Sequence, residues 1–334
     1  MKRTQSNESV LPALGLFFLA PLVAEYLLGD LPITMLSALI VMAPMYGGGA
    51  LLIRELVRRT GRGWPTIVLL ALAYGVLEEA FTTQSLFNPN YLSLNLHLLQ
   101  PAYIPALGIG AWWTVFVLGL HTVWSISVPI ALVEASVPDK ATAPWLGNFG
   151  LGVTVFVFAL GIAVSTIFGY THDHFVSSAM QFITAGAVIV CIAGTAFLVR
   201  IADGTVTDKF VPNPWLAGIA ALVAGTAFLV LPPKWGWWAV AALLLLELGI
   251  AGAVLALSKR KGWTMRHKLA LAGGAALAYA GHAFLQMPVA GHASVLVAKA
   301  GNAVFALGAI ALIAFAAKRT VASEATQPAG CAMG

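Results

Sequence analysis

The sequence predicts an all-α fold, a polytopic transmembrane helical bundle, and three observations predict it. First, 60% of the 334 residues are hydrophobic and only 9% are charged, whereas a soluble domain is closer to a quarter charged. Too little polar surface exists to coat a water-soluble globule. Second, the apolar residues come in long runs, not in amphipathic stripes. A hydrocarbon core of about 30 Å takes about 20 apolar residues per helix. In lipid every backbone amide must be satisfied internally, so such runs fold as helices. Third, the basic residues sort with the runs, as set out below.

The runs give about ten spans at lengths that fit a bilayer: 11–29, 31–52, 65–86, 108–135, 148–170, 176–199, 214–232, 236–258, 268–286 and 293–317. A cytoplasmic segment, 1–10, precedes them. The single transmembrane domain covers 11–317. The polar, small-residue tail, 318–334, is expected to be disordered. With the N-terminus inside, every Lys and Arg except Lys234 and Lys299 falls on a cytoplasmic segment, as the positive-inside rule requires. One span more or fewer would scramble that sorting, so both termini are placed in the cytoplasm. The net charge of +5 is therefore a matter of topology. It gives no reason to expect nucleic acid as a partner; the lipid bilayer is the partner it implies. Compact loops and richness in Ala, Gly and Leu suggest a bacterial plasma membrane.

Along the chain, the first run follows a polar segment and is interrupted by Glu25, which reads as a span and not as a cleavable signal. Gly47, Gly48 and Gly49 in the second span permit close helix contact. The basic segment from Arg54 to Gly63 reads as a cytoplasmic turn anchored to anionic headgroups. The uncharged 87–107 segment is either an interfacial stretch with an aromatic belt or a lid over a cavity. Cys191 and Cys331 form neither a disulfide framework nor a metal pattern.

A charge at mid-bilayer costs roughly 2.5–3.5 kcal/mol on insertion scales, so charges kept there are functional candidates. Glu78 and Glu79 in the third span are the sharpest. Adjacent helical residues point about 100° apart, so one carboxylate can face a cavity while the other meets a neighbouring helix. Two neighbouring carboxylates in low dielectric resist ionising together, which suits general acid or base work. Tyr74, Glu78, Thr82 and Ser85 share a face, a polar stripe at helical spacing. His121 lies in the fourth span with Ser125 one turn on. His172 and His174 follow the fifth span, Gln181 opens the sixth, and Tyr279 shares a face with His282 and Gln286 in the ninth. A zinc site is one expectation: Glu79, His121 and one of His172 or His174 would supply ligands, leaving a position open to activate water. Glu247 and Lys299 are expected to pair with each other or with the third-span carboxylates, as a structural ion pair or as parts of a proton relay.

YGVLEEAFTTQS, followed by GLHTVW and THDHF, resembles the CPBP family of intramembrane proteases, the CAAX-protease and abortive-infection proteins, over about residues 65–180. The resemblance implies hydrolysis of a peptide or membrane-protein substrate by glutamate-activated water. Glu78 and Glu79 match the paired glutamates, His121 the first histidine, and His172 or His174 the second. The chain departs from the family motifs at Thr83, where the family has arginine, and at Val117, where it has phenylalanine. Val176 or Ser178 stands where it has asparagine. Three readings follow: a membrane-embedded hydrolase, a proton- or ion-coupled transporter, and a non-catalytic scaffold or immunity protein that keeps the hydrolase fold.

Overall fold

The computed structural model describes residues 7–198 and 207–326. Among them the chain forms a bundle of ten long helical units, and its one sheet is a two-stranded hairpin, Tyr103–Ile104 with Ile109–Gly110. The units are α1 (Asn7–Pro21), α2 (Ala38–Arg59), α3 (Trp64–Leu77), α4 and α5 as one span (Ala111–Leu120 and Val128–Ser136), α6 (Asn148–Asp173), α7 (Ala179–Leu198), α8 (Pro214–Val230), α9 (Trp237–Ser258), α10 (Met265–His282) and α11 (Val295–Thr326). Eight units are long and apolar enough to cross a membrane. Of the other two, α8 is apolar but has 17 residues. The Gly- and Ala-rich α10 is buried by its neighbours: a Cβ on Gly274 would stand 2.1 Å from the carbonyl oxygen of Gly218 in α8.

Exposure separates inner from outer helices. α6, α7 and α9 turn most of their large apolar side chains outward, as lipid-facing helices do. α2, α3 and the α4–α5 span are mostly buried. The glycines of α2 make that core possible. A Cβ on Gly47 would collide with the Phe17 carbonyl of α1 at 1.8 Å, and one on Gly49 with the Tyr74 ring of α3 at 2.5 Å.

The basic segments meet at one end of the bundle, and there the expected boundaries shift. Helix α2 runs on to Arg59, through the stretch read as a headgroup-anchored turn. The reason is that Arg54, Glu55 and Arg58 are not at a lipid surface: they are buried together with Glu134 of α5. Arg54 Nη1 meets Glu55 Oε1 at 2.7 Å and its Nε meets Glu134 Oε1 at 3.2 Å, while Arg58 Nη2 meets Glu134 Oε2 at 2.7 Å. The remaining Arg54 protons go to the carbonyls of Lys140, Ala141 and Ala143, and its guanidinium stacks 3.3 Å above Trp145.

The tail expected to be disordered from 318 is helical to Thr326, because its polar residues find partners. Thr320 donates to the Ala135 carbonyl, Ser323 donates to Asp139 at 2.7 Å, and Glu324 pairs with Arg266 at 2.6 Å. Residues 327–334, with Cys331, lie outside the described residues, as do 1–6 of the expected N-terminal segment.

The opposite end is capped by the segment after α3. Asn88 Nδ2 and the Leu92 amide donate to Asp173 Oδ2 at 2.7 and 2.9 Å, and Gln84 Oε1 accepts from the amide and hydroxyl of Ser177. Asp30 beyond α1 accepts from Gln286 beyond α10.

Candidate functional site

Three of the inner spans lose their α-helical regularity at one place each, and each place carries a titratable side chain. Wider π-turns occupy Leu22–Leu27 after α1, Glu78–Thr82 after α3 and His121–Ser127 between α4 and α5. Their signature bonds skip one residue more than an α-helix does: Asp30 N to Glu25 O at 3.0 Å, and Thr83 N to Glu78 O at 2.9 Å. Pro129 stands just after the third; having no N–H, it removes a helical bond and favours the widened turn before it. Single π-turns inside α-helices occur frequently at functional sites because the extra residue re-aims side chains. Here they aim Glu25, Glu78, Glu79, His121 and Ser125 toward one cluster.

His121 is the centre. Its Nε2 lies 2.7 Å from Glu79 Oε1. Its Nδ1 lies 3.0 Å from Ser125 Oγ and 3.1 Å from Glu78 Oε2. Two tyrosine rings box the imidazole: Tyr46 stacks on it at 6.1 Å between centroids, and Tyr74 meets it edge-on at 6.1 Å. Glu78 is 1% exposed, Glu79 5% and His121 6%, so charges here meet low dielectric, where electrostatic interactions are strong.

The two neighbouring glutamates differ sharply. Both oxygens of Glu79 are occupied, Oε1 by His121 and Oε2 by Thr83 Oγ1 at 3.0 Å and by Ser85 Oγ. Trp113 Nε1 holds the Ser85 hydroxyl from behind at 2.9 Å. Glu79 is thus a fixed acceptor that orients the imidazole. Glu78, by contrast, has its buried Oε2 3.1 Å from His121 Nδ1 but in no hydrogen bond, and the Tyr74 hydroxyl and Thr82 Oγ1 also lack a hydrogen-bond partner among the described residues. An orphaned buried polar atom costs about 1–3 kcal/mol, and these three lie at the i, i+4 and i+8 positions of one helix. The expected polar stripe is therefore present as Tyr74, Glu78 and Thr82. Ser85 leaves it: the helix has ended by then, and the turn brings Ser85 back onto Glu79 instead.

Sequence reasoning did not include Tyr46, Thr83 or Trp113 in the site; it counted Glu25 among the charges kept in the membrane and, in the transporter reading, in one coupling path with Glu78, Glu79, Glu247 and Lys299. Tyr46 donates to Glu25 Oε1 at 2.6 Å. No periodic pattern in α1 or α2 marks this pair; only the π-turn at Leu22–Leu27 joins it to the rest. Just beyond that turn and outside the spans, burial and the neighbouring Glu25 carboxylate push Asp30 up to about 7.

Several expected members lie elsewhere. His172 pairs with Asp173 at 2.8 Å at the exposed end of α6, and His174 caps that helix in a left-handed conformation. Gln181 accepts from Ser178 at the start of α7. His282 ends α10, and the neighbouring Tyr279 stacks on Trp124 at 4.4 Å. Glu247 and Lys299 do not pair. Lys299 Nζ caps α10 through the carbonyls of Phe284 and Gln286 at 2.8 and 2.7 Å. Glu247 turns toward α4, where a Cβ on Gly119 would stand 2.3 Å from its Oε1, and that oxygen has no hydrogen-bond partner among the described residues.

Glu78, Glu79 and His121 are the one group of His, Cys, Asp or Glu among the described residues whose ligand atoms lie within 4.8 Å of one another. The zinc set expected from the sequence is not assembled, because neither His172 nor His174 joins it. Moreover, the 2.7 Å separation of Nε2 and Glu79 Oε1 is a hydrogen bond; two ligands on a tetrahedral zinc stand about 3.3 Å apart, given bond lengths near 2.0–2.1 Å. As arranged, the residues form a hydrogen-bonded glutamate–histidine dyad, and Glu78, Glu79 and His121 are near enough to one another to hold a metal ion.

Beside this cluster a cleft of about 590 Å³ is lined by Phe81, Gln84, Thr166, Tyr170, Val176 and Phe182. It lies where α6 and α7 meet the π-turn that carries Glu78 and Glu79, and its lining is largely apolar.

No curated protein and no solved structure matches the chain. One family model does, over residues 14–327, which is most of its length. The chain belongs to the family described as an uncharacterized membrane protein family.

Proposed function

We propose that this protein is a membrane-embedded hydrolase of the metal-free glutamate type, acting on a peptide bond of a membrane-protein substrate, in a bacterial plasma membrane. The observation that carries the reading is the asymmetry of the paired glutamates. Glu79 is saturated and holds His121 in place; Glu78 is buried against the same imidazole, 3.1 Å from Nδ1, with no hydrogen bond to its Oε2. In the proposed reaction Glu78 takes a proton from water as it attacks the scissile carbonyl, and His121, protonated on both ring nitrogens, turns its Nδ1–H from Ser125 and Glu78 to the developing oxyanion. The proton on Glu78 then passes to the leaving amine.

The CPBP resemblance of YGVLEEAFTTQS and GLHTVW supports this assignment, and Thr83 bears on its main departure. At the position of the family arginine, Thr83 donates to Glu79. The second histidine has no counterpart in the cluster, which is why oxyanion stabilisation is assigned to His121 alone. The apolar cleft beside the π-turn is suited to a lipid-embedded segment.

The test is a comparison of protein N-termini in the membranes of cells carrying the wild type, Glu78→Gln or His121→Ala at equal abundance. New N-termini that depend on wild-type protein and vanish in both variants are expected. Identical sets of termini in all three would sink the hydrolase reading and leave proton-coupled transport, which the acidic balance of the cluster favours, as the reading to pursue.

A further inference from the structure

Glu247 is a half-buried acid within a span that neither polar cluster uses. It lies near the middle of the 22-residue α9, about 15 Å of helix from either end. That is the midplane of a hydrocarbon core about 30 Å thick. Its Oε1 is sunk into a notch on α4: a Cβ on Gly119 would stand 2.3 Å from that oxygen and 2.8 Å from the Phe228 ring. The notch supplies shape and no polar partner. Among the described residues Glu247 has neither a hydrogen bond to Oε1 nor an ion pair. A carboxylate at that depth is costly to keep unless it is paired.

The helix that carries it is attached along only part of its length. Its buried residues, Ala239, Val240 and Leu243, all precede Glu247. Beyond Glu247, toward the basic end, Ala251 and Ser258 share its face at helical spacing and are exposed, and Val254 between them is half-buried. A helix-sized stripe therefore starts at an unpaired carboxylate and runs on without cover.

Charge complementarity selects what covers it. The amine of a lipid headgroup stays outside the hydrocarbon, about 15 Å away. A second copy of this chain has no cation to offer at that depth. Lys299 lies in the first two turns of α11, with Nζ bonded to the carbonyls of Phe284 and Gln286. Arg54 and Arg58 are enclosed with Glu134. We propose that this face of α9 is the docking surface for a transmembrane helix of another protein that carries a lysine or arginine at mid-membrane. The cation meets the Glu247 carboxylate while apolar residues of the partner cover Ala251 and Val254. Pairing replaces two uncompensated charges in lipid with one neutral pair. None of this uses the His121 cluster, so failure of the hydrolase reading leaves the docking face untouched.

The probe is a synthetic membrane-spanning polyleucine peptide with one central lysine, beside the same peptide with leucine there. Labelled full-length protein and labelled peptide are reconstituted together in phosphatidylcholine liposomes, and energy transfer is followed as peptide is added. The lysine peptide should associate with the wild type more tightly than the leucine peptide by about tenfold or more, given the cost of an unpaired charge at that depth. Glu247→Gln should bring the two peptides level, and Glu247→Asp, which keeps the charge, should retain a lysine preference; circular dichroism checks the helices of both. Equal association of the two peptides with the wild type would overturn the proposal, as would a lysine preference that survives Glu247→Gln. Energy transfer between copies of the protein that Glu247→Gln removes, without any lysine preference, would also overturn it and make the face a self-association surface.

Discussion

Two buried polar clusters lie in this bundle, and they are built on opposite terms. The one at the basic end unites Arg54, Glu55, Arg58 and Glu134 on regular α-helix. Two cations meet two anions there, and neighbouring carbonyls take up spare protons of Arg54. The one around His121 sits on π-turns, gathers Glu25, Glu78 and Glu79 about a single imidazole, and leaves Glu78 Oε2, the Tyr74 hydroxyl and Thr82 Oγ1 without a hydrogen bond among the described residues. Burying charge is costly unless it is paired and hydrogen-bonded. The first cluster offsets that cost by pairing and fixes helices to one another. The second offsets it only in part, through the contacts of His121 with Glu79 and Glu78, an imbalance that the proposed function accounts for, since active sites are commonly traded against stability in this way.

The largest effect should come from breaking the closed cluster. Glu134→Gln leaves Arg54 and Arg58 short of their shared anion, and the loss of a partner from a buried ion pair costs about 3–5 kcal/mol. Thermal unfolding in detergent should show it as a clear fall. The same substitution in the open cluster, Glu78→Gln, should abolish cleavage by at least about 100-fold, the usual worth of a general base, read from the wild-type-dependent N-termini. Gly47→Ala tests the packing between the clusters: its methyl would meet the Phe17 carbonyl, and overpacking of this kind costs about 1–3 kcal/mol, measured again by unfolding.

Smaller effects sharpen the contrast. Glu247 and Lys299 share no bond, so the stability changes of Glu247→Gln and Lys299→Met should add within about 0.5 kcal/mol in the double variant. Coupling well beyond that would mean that they pair. His172→Ala and His174→Ala should leave cleavage unchanged, since both lie outside the cluster; loss of activity with either would restore the second-histidine reading.

How much of this was legible beforehand follows from what each feature depends on. The helices were legible because lipid admits few backbone solutions, so an apolar run is enough to mark one. Orientation was read from basic residues, and these do gather at one end. What failed was the meaning of RELVRRTGRG, because Glu134, the residue that draws Arg54 and Arg58 inside, is 76 positions from Arg58. No local pattern announces it. Within the site, Glu78, Glu79, His121 and Ser125 were visible as polar residues in apolar runs. Tyr46 was not, because a tyrosine in a span is ordinary until its partner is known. The π-turns were also invisible: one extra residue per turn leaves hydrophobic periodicity almost untouched. The end of the helix at Thr82 moved Ser85 from the face of Glu78 to Glu79. The tail beyond Lys318 was misread for the same reason as the basic turn, since its partners Asp139 and Arg266 are distant in sequence.

The most direct test of the contrast between the clusters is the unfolding temperature of Glu78→Gln measured beside Glu134→Gln in the same detergent. Glu134→Gln should unfold well below the wild type, while Glu78→Gln should hold or fall only slightly, because the loss of its charge beside His121 Nδ1 is offset by relief of the repulsion between two adjacent buried carboxylates. A fall in Glu78→Gln as deep as that of Glu134→Gln would contradict it, and would make the His121 cluster another structural lock.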